Sequence, residues 1–310
     1  MSGLIALDWG TSSLRAFRFD GEGRLEETRA RPWGIRHLPE GGYDAALAEI
    51  TGGWPVLPRL ACGMVGSRNG WREMPYLDTP ANAAQLGGAL GSLRAADGLD
   101  VHLVPGLRDP FGPDVMRGEE TQLIGAMALR PSLAEAATFI LPGTHSKWAE
   151  VRDGAVAGFR TLMTGELFAV LRQHSILGAT GAEAVNDAEA FARGVASARD
   201  SGAAGALSRL FSTRALMLDG ALAPASVPDY LSGLLIGEEF RAALAGGLGG
   251  RDTPLQPIGD AALCERYRRA AVLFDIELPP PIADAAAHGL WRLATQAGLV
   301  HDAFQESRAC

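Results

Sequence analysis

A repeat does most to limit what this chain can fold into. Gly10, Thr11, Ser13, Asp20 and Gly21 recur 133 residues later as Gly143, Thr144, Ser146, Asp153 and Gly154. Both sets sit in the same local pattern. Leu4–Leu7 is a short apolar run, as in a buried strand, and Leu14–Phe19 alternates apolar with charged residues, as in a half-buried one. Asp20–Gly23 is a turn, and Arg24–Arg29 returns as a third strand. In the second copy, Thr138–Leu141, Trp148–Val151 and Val156–Leu162 supply the strands, with Asp153-Gly154 as the turn. Chance matching of common turn residues is the competing explanation. A chain of 310 residues has the length for two domains. A duplicated opening gives one copy to each, with residues 1–117 first and residues 118–310 second.

The rest alternates strands and helices, so the fold class is α/β. Tyr43–Ile50 reads as a helix, Arg59–Met64 as a buried strand and Gly63–Pro80 as a structured loop. A strand follows at Val101–Val104, and apolar residues at helical spacing mark Gly118–Leu129. Beyond the second copy, helices are expected at Gly165–His174, Asp187–Arg199, Gly202–Phe211 and Tyr230–Leu244. Pro254–Ile258 is a further strand, and a helix runs from Gly259-Asp260 to about Val272. Pro279–Pro281 stops the chain before a final Ala/Gly-rich helix, Ala283–Ala297, expected to pack back on the first domain.

Composition removes several function classes. Lys and Arg total 28 against 36 Asp and Glu, a net charge of −8 with no long basic run. That argues against a grip on nucleic acid or anionic membrane. Cys62, Cys264 and Cys310 form no CxxC pair, so no zinc knuckle, iron–sulfur site or disulfide framework is indicated. No apolar window is long enough for a membrane span, and Leu4–Leu7 lacks a basic segment before it, so a cytoplasmic location is expected. GxxxxGK[ST] is missing, because Lys147 follows Gly143 at the wrong spacing for a phosphate loop, and GxGxxG after a strand, GxSxG and HExxH are missing too.

A different phosphate device is present in Asp8-Trp9-Gly10-Thr11-Ser12-Ser13-Leu14-Arg15. A carboxylate ends a buried strand, glycine lets the turn approach a ligand, and hydroxyls with backbone N–H groups can hold phosphate oxygens. Arg15 adds a permanent cation. Asp8 is suited to holding magnesium, through water. A polar hairpin turn is the plain alternative. The duplicate, Gly143-Thr144-His145-Ser146-Lys147, favours the phosphate reading, since two such hairpins facing across a cleft clamp the β- and γ-phosphates of a nucleotide.

At this point the chain resembles the actin-like ATPase clan, whose paired ribonuclease H-like domains each open with three strands and a phosphate hairpin. Within the clan it is similar to the 2-dehydro-3-deoxygalactonokinase family. The segments that carry the likeness are Gly63–Trp71, Asp114–Gln122, Leu141–Trp148, Met163–Phe168, His174–Gly178 and Tyr230–Gly237, together with Asp8–Arg15. The resemblance implies two actin-like domains with a nucleotide cleft between them. It also implies a cytoplasmic ATP- and magnesium-dependent kinase that phosphorylates the 6-hydroxyl of 2-dehydro-3-deoxy-D-galactonate in galactonate catabolism. The implied partners are that sugar acid and ATP, with no nucleic acid, no membrane and room for a homodimer. Another carbohydrate kinase of the clan, or an actin- or chaperone-like ATPase switch, are the rival readings.

The same resemblance suggests site residues. Related sugar kinases commonly place a proton-accepting Asp just after a glycine; the matching position here is Glu119 after Gly118, a departure from Asp to Glu. Glu120 adjoins it, and two acids at a helix start can also serve only the helix dipole. Asp8 is the next carboxylate and the implied magnesium ligand. Gly10, Thr11, Ser12, Ser13, Arg15, Gly143, Thr144, His145, Ser146 and Lys147 are assigned to the nucleotide. His145 either contacts phosphate or caps its hairpin. Gly259 lies where the adenosine motif is expected, although an ordinary strand–helix turn explains it equally. In the loop after the buried strand, Ser67 and Asn69 can bond sugar hydroxyls, Trp71 can line the sugar, and Arg68 offers a fork that matches a carboxylate. Arg117 is the second candidate for that carboxylate. A solvated Arg68 and a core-packed Trp71 are the alternatives.

Overall fold

The computed structural model describes residues 3–179, 181–250 and 253–301; Cys310 lies outside the described residues. The chain divides into two compact units. Unit 1 takes Met1–Ala136, Val151–Phe159 and Asp284–Cys310, and unit 2 takes Ala137–Glu150 and Arg160–Ala283.

Unit 1 opens with β1 (Leu4–Trp9), β2 (Leu14–Phe19) and β3 (Leu25–Arg31). The continuous apolar run of β1 is buried, whereas β3 alternates half-buried with exposed residues, as an edge strand does. Next come α1 (Gly42–Ile50), β4 (Arg59–Cys62), β5 (Tyr76–Asp78), β6 (Ala81–Asn82) and α2 (Ala83–Gly88). They are followed by β7 (Gly91–Arg94), β8 (Asp100–Leu103), β9 (Gly106–Asp109), β10 (Asp114–Met116) and α3 (Glu119–Leu129). The main sheet has the order β3-β2-β1-β4-β8-β7, and β10-β9-β5 forms a small second sheet. Trp9, Leu14, Leu47, Ile50, Val65 and Leu103 are among the core residues on the main sheet.

Unit 2 carries β11 (Ala136–Leu141), β12 (Ser146–Arg152), β13 (Ala155–Leu162) and α4 (Thr164–His174). The far ends of β12 and β13 count with unit 1, where Ala155 and Val156 pair with Asn82 and Ala81 of β6. Then follow α5 (Ala188–Arg199), α6 (Ser212–Leu218), α7 (Val227–Ala245), β14 (Leu255–Pro257) and α8 (Ala261–Val272). Helix α7 is apolar around most of its surface and is buried accordingly, with Ile236 and Phe240 in a core shared with Trp148, Phe191 and Tyr267.

The two openings have the same topology. In unit 1 the order is β3-β2-β1-β4 with β1 and β4 parallel, and in unit 2 it is β13-β12-β11-β14 with β11 and β14 parallel. The repeat read in the sequence is therefore a repeat of architecture, not chance matching of turn residues.

Two features differ from the sequence reading. The helix expected over Gly202–Phe211 is instead two short 3₁₀ turns, Gly202–Ala204 and Ala206–Arg209. Gly205, at φ 67°, breaks the path, and Leu207 and Phe211 are 73% and 65% exposed, so the apolar spacing there marks no packed face. The compact units also fall elsewhere than a cut at residue 118. The chain returns to unit 1 as α9 (Ala285–Gln296), which packs on α3, α2 and β1. A Cβ on Gly125 would lie 1.8 Å from the Ala285 carbonyl, and one on Gly289 1.9 Å from the Thr121 carbonyl. The α3 and α9 backbones touch where no side chain fits, which holds both helices in unit 1.

Candidate active site

In the first hairpin, Asp8 pairs across the ladder with Arg15 and Trp9 with Leu14. The Gly10 N–H donates to the Ser13 carbonyl at 2.9 Å and closes the turn. The Ile35 and Arg36 N–H groups donate to the Gly10 and Thr11 carbonyls at 3.1 and 3.3 Å, bracing the turn from behind. Thr11 is half-buried, and Ser12 and Ser13 are exposed. Arg15 donates through Nη2 to Asp8 Oδ2. Trp9 is fully buried and makes edge contacts to Tyr43 and Trp71, while Tyr43 and Trp71 stack at 5.2 Å between centroids. Trp71 is half-buried, packed against the main core.

The Asp8 carboxylate has acidic neighbours from elsewhere in unit 1. Cys62 lies beside it in the parallel register, with Sγ 4.0 Å from Asp8 Oδ1. Gly63 follows at φ 93°, and a Cβ there would sit 2.8 Å from the Trp9 carbonyl and 3.6 Å from Asp8 Oδ1. Gly118, at φ 105°, would place a Cβ 3.2 Å from the Gly63 α-carbon. Both glycines therefore combine a left-handed backbone with a close approach that L side chains resist. Together they bring the start of α3 next to the end of β1.

The paired acids at that helix start have different surroundings. Glu119 is half-buried, and its Oε2 accepts the Arg117 N–H at 3.0 Å. Glu120 is fully buried; it accepts the Gly118 N–H at 2.7 Å and the Thr121 hydroxyl at 3.0 Å. Burial, with Glu119 alongside, pushes the Glu120 carboxyl up to about 8. Burial and the Asp8 charge raise the Cys62 thiol well above its ordinary value. At neutral pH the cluster thus holds protons on Glu120 and Cys62.

The loop after β4 is wound tightly. The Trp71 N–H donates to the Val65 carbonyl at 2.8 Å, and the Met74 N–H to the Gly66 carbonyl at 2.9 Å. Arg68 and Asn69 are exposed, whereas Ser67 is buried. Arg117 is also buried, with its guanidinium 4.4 Å from the Tyr76 ring centroid and Nη2 donating to the Met74 carbonyl at 2.8 Å.

The second hairpin, in unit 2, differs from the first in its hydroxyls. Thr144 and His145 are exposed, and His145 Nε2 is hydrogen-bonded to Glu166. The Glu166 N–H donates to the Thr144 carbonyl at 2.9 Å, and a Cβ on Gly165 would lie 2.5 Å from the Gly143 carbonyl. The N-terminus of α4 is thereby docked on the turn. Ser146 and Lys147 are buried, and the Ser146 hydroxyl donates to Glu239 Oε1 at 2.5 Å. Glu239 is fully buried and takes three more donors: Trp148 Nε1 at 2.8 Å, the Tyr267 hydroxyl at 2.7 Å and the Thr164 hydroxyl. Burial raises its carboxyl above the ordinary range against these four hydrogen bonds. Sequence reading missed this residue, although a carboxylate set among the apolar residues of α7 was the available signal. Gly259, at φ 139°, joins β14 to α8 and faces Pro142, which precedes the hairpin; the Asp260 side chain caps α8 through the Leu263 N–H at 2.9 Å.

No group of three or more His, Cys, Asp or Glu among the described residues is placed to hold a metal ion. Asp8 alone, half-buried at a strand end, fits a magnesium ion that takes its other ligands from water and phosphate oxygens.

The model of the 2-keto-3-deoxy-galactonokinase family matches residues 8–293. A 2-dehydro-3-deoxygalactonokinase of Escherichia coli (strain K12) is 40% identical over 239 residues, covering 76% of this chain and 78% of that protein. The crystal structure of a Sinorhizobium meliloti protein assigned to 2-dehydro-3-deoxygalactonokinase superposes with a TM-score of 0.84 at 36% identity, covering 94% of this chain and 98% of that one. An activator of 2-hydroxyisocaproyl-CoA dehydratase from Clostridium difficile, solved with ADPNP, superposes at 0.53 with 12% identity, covering 99% and 97%. That distant likeness concerns the fold alone, the two-domain actin-like ATPase plan.

Proposed function

The chain belongs to the 2-keto-3-deoxy-galactonokinase family, and from that premise we propose that it transfers the ATP γ-phosphate to the 6-hydroxyl of 2-dehydro-3-deoxy-D-galactonate, a step of galactonate breakdown. The observation that supports this reading is the close approach of Gly63 to the Asp8 end of β1 and of Gly118, at the start of α3, to Gly63. It supports a role for Glu119, the half-buried acid that follows Gly118, as the proton acceptor that phosphoryl transfer to an alcohol uses.

In this reading the hydroxyl oxygen at C6 bonds to the γ-phosphorus as the bond to the β,γ-bridging oxygen breaks. The electron pair leaves on ADP, and Glu119 accepts the hydroxyl proton. The Arg117 N–H holds the Glu119 carboxylate in place for that role. Glu120, buried and carrying its proton, supports the helix start without reaching substrate. Thr11, Ser12, Ser13 and Arg15 of the first hairpin, and Gly143, Thr144 and His145 of the second, serve the phosphates. Ser146 secures the second hairpin through Glu239, and Gly259 receives the adenosine. Asp8 would hold a magnesium ion, which would supply positive charge against that of the phosphates. Trp71 and Asn69 face the sugar.

The test is ADP release from ATP against a panel of 2-keto-3-deoxy sugar acids and neutral hexoses. Turnover that depends on the six-carbon keto acid is expected. A preference for neutral hexoses, or ATP hydrolysis indifferent to sugar, would replace this reading with one of a different kinase or an ATPase switch.

A further inference from the structure

Arg117 poses a physical problem. It is 8% exposed, and no ion pair to it is found among the described residues. Its Nη2 meets the Met74 carbonyl and its face lies on Tyr76, yet Nε and Nη1 have no hydrogen-bond partner and no contact with water. Burying a permanent cation with two nitrogens unpaired is costly. The neighbouring Ser67 has the same defect: it is 8% exposed and its hydroxyl is unpartnered. The two residues belong to adjoining segments. A Cβ on Gly66 would lie 3.2 Å from Arg117 Nη1, and Gly63 meets Gly118 in the same way. Backbone thus comes close enough to frame the guanidinium, leaving two kinds of unpaired donor together.

We propose that Arg117, with Ser67, holds the carboxylate of the acceptor sugar acid. This rests on the kinase reading above and names the residues that make the enzyme choose an acid. A carboxylate is planar and acceptor-only, which suits a guanidinium better than a hydroxyl does. One residue separates Arg117 from Glu119, about 7 Å of chain at most. That spacing suits an acceptor whose carboxylate and reacting hydroxyl occupy opposite ends of a six-carbon chain. Arg68 is exposed on the loop.

The experiment compares the sugar acid with its primary amide, which keeps every hydroxyl and removes the charge. Arg117→Met keeps apolar bulk on Tyr76 without the charge. It should lose about tenfold or more in kcat/KM for the acid, little for the amide, and leave KM for ATP unchanged. Ser67→Ala should shift the same ratio by a smaller factor, and Arg68→Ala should preserve it. An unchanged acid-to-amide ratio in Arg117→Met overturns the proposal. So does an equal fall for acid and amide, which would place Arg117 on the transferring phosphoryl group or in the core alone. If Arg117→Met does not fold, Arg117→Lys and Ser67→Ala decide by the same ratio. A wild-type enzyme that phosphorylates no keto acid instead defeats the kinase reading, a result visible before any variant is made.

Discussion

Ser146 of the second hairpin donates its hydroxyl to Glu239, 93 positions along the chain and wholly out of solvent. Its counterpart in the first hairpin, Ser13, is exposed. The duplicated motif has therefore diverged in use, with one serine at the surface and the other anchoring its hairpin to α7.

Glu239→Ala should strand four buried donors at once. A loss of ~3 kcal/mol or more is expected in urea unfolding, with a higher KM for ATP. Glu239→Gln keeps an acceptor for Trp148 and lets the hydroxyls turn, so it should cost distinctly less. Equal losses in the two variants would contradict the anchoring role.

Thr11→Ala and Thr144→Ala each remove a hydroxyl from a hairpin turn without opening the core. Both variants should melt like the wild type. Each should raise KM for ATP or lower kcat, as fluorescence titration with nucleotide and steady-state kinetics would report. Normal ATP kinetics in both would remove the hairpins from nucleotide binding.

Glu119→Gln should lower kcat by about 10²-fold or more while KM for both substrates stays near the wild-type value. Glu120→Gln should retain most activity, because that carboxyl is buried. If the two results are exchanged, the proton acceptor is Glu120; if neither variant slows the enzyme, Asp8 becomes the carboxylate to replace.

Glu120 also sets a pH dependence of stability. Its folded value of about 8 is raised above the ordinary 4.5. The folded state keeps a proton that the unfolded chain releases. The contribution is fully present below the unfolded value of about 4.5 and is lost as pH rises through about 8. Melting temperature should fall across that window in the wild type, and Glu120→Gln should flatten the fall. Parallel curves for the two proteins would show that Glu120 is not the group responsible.

The strands of both openings were legible because their apolar runs and Asp-Gly turns are local signals. The short strands β5, β6, β7, β9 and β10 were not, since two to four residues carry too little periodicity. Adjacent acids look alike in sequence, but one step around a helix makes Glu119 half-buried and Glu120 fully buried. The Ser146 bond to Glu239 is not legible in the sequence, because its partner lies in a distant helix. The loop motif makes Arg68 conspicuous in the sequence, whereas the burial of Arg117 against Met74 and Tyr76 is a tertiary fact.

The close contact of α3 with α9 has a consequence for synthesis. Unit 1 is discontinuous, and the face of α3 that receives Ala285 and Gly289 stays open until α9 arrives. A ribosome must deliver all of unit 2 before that can happen. The nascent first unit therefore waits with the Thr121 and Gly125 face of α3 uncovered, so its exposure to chaperones and proteases is set by the translation time of unit 2.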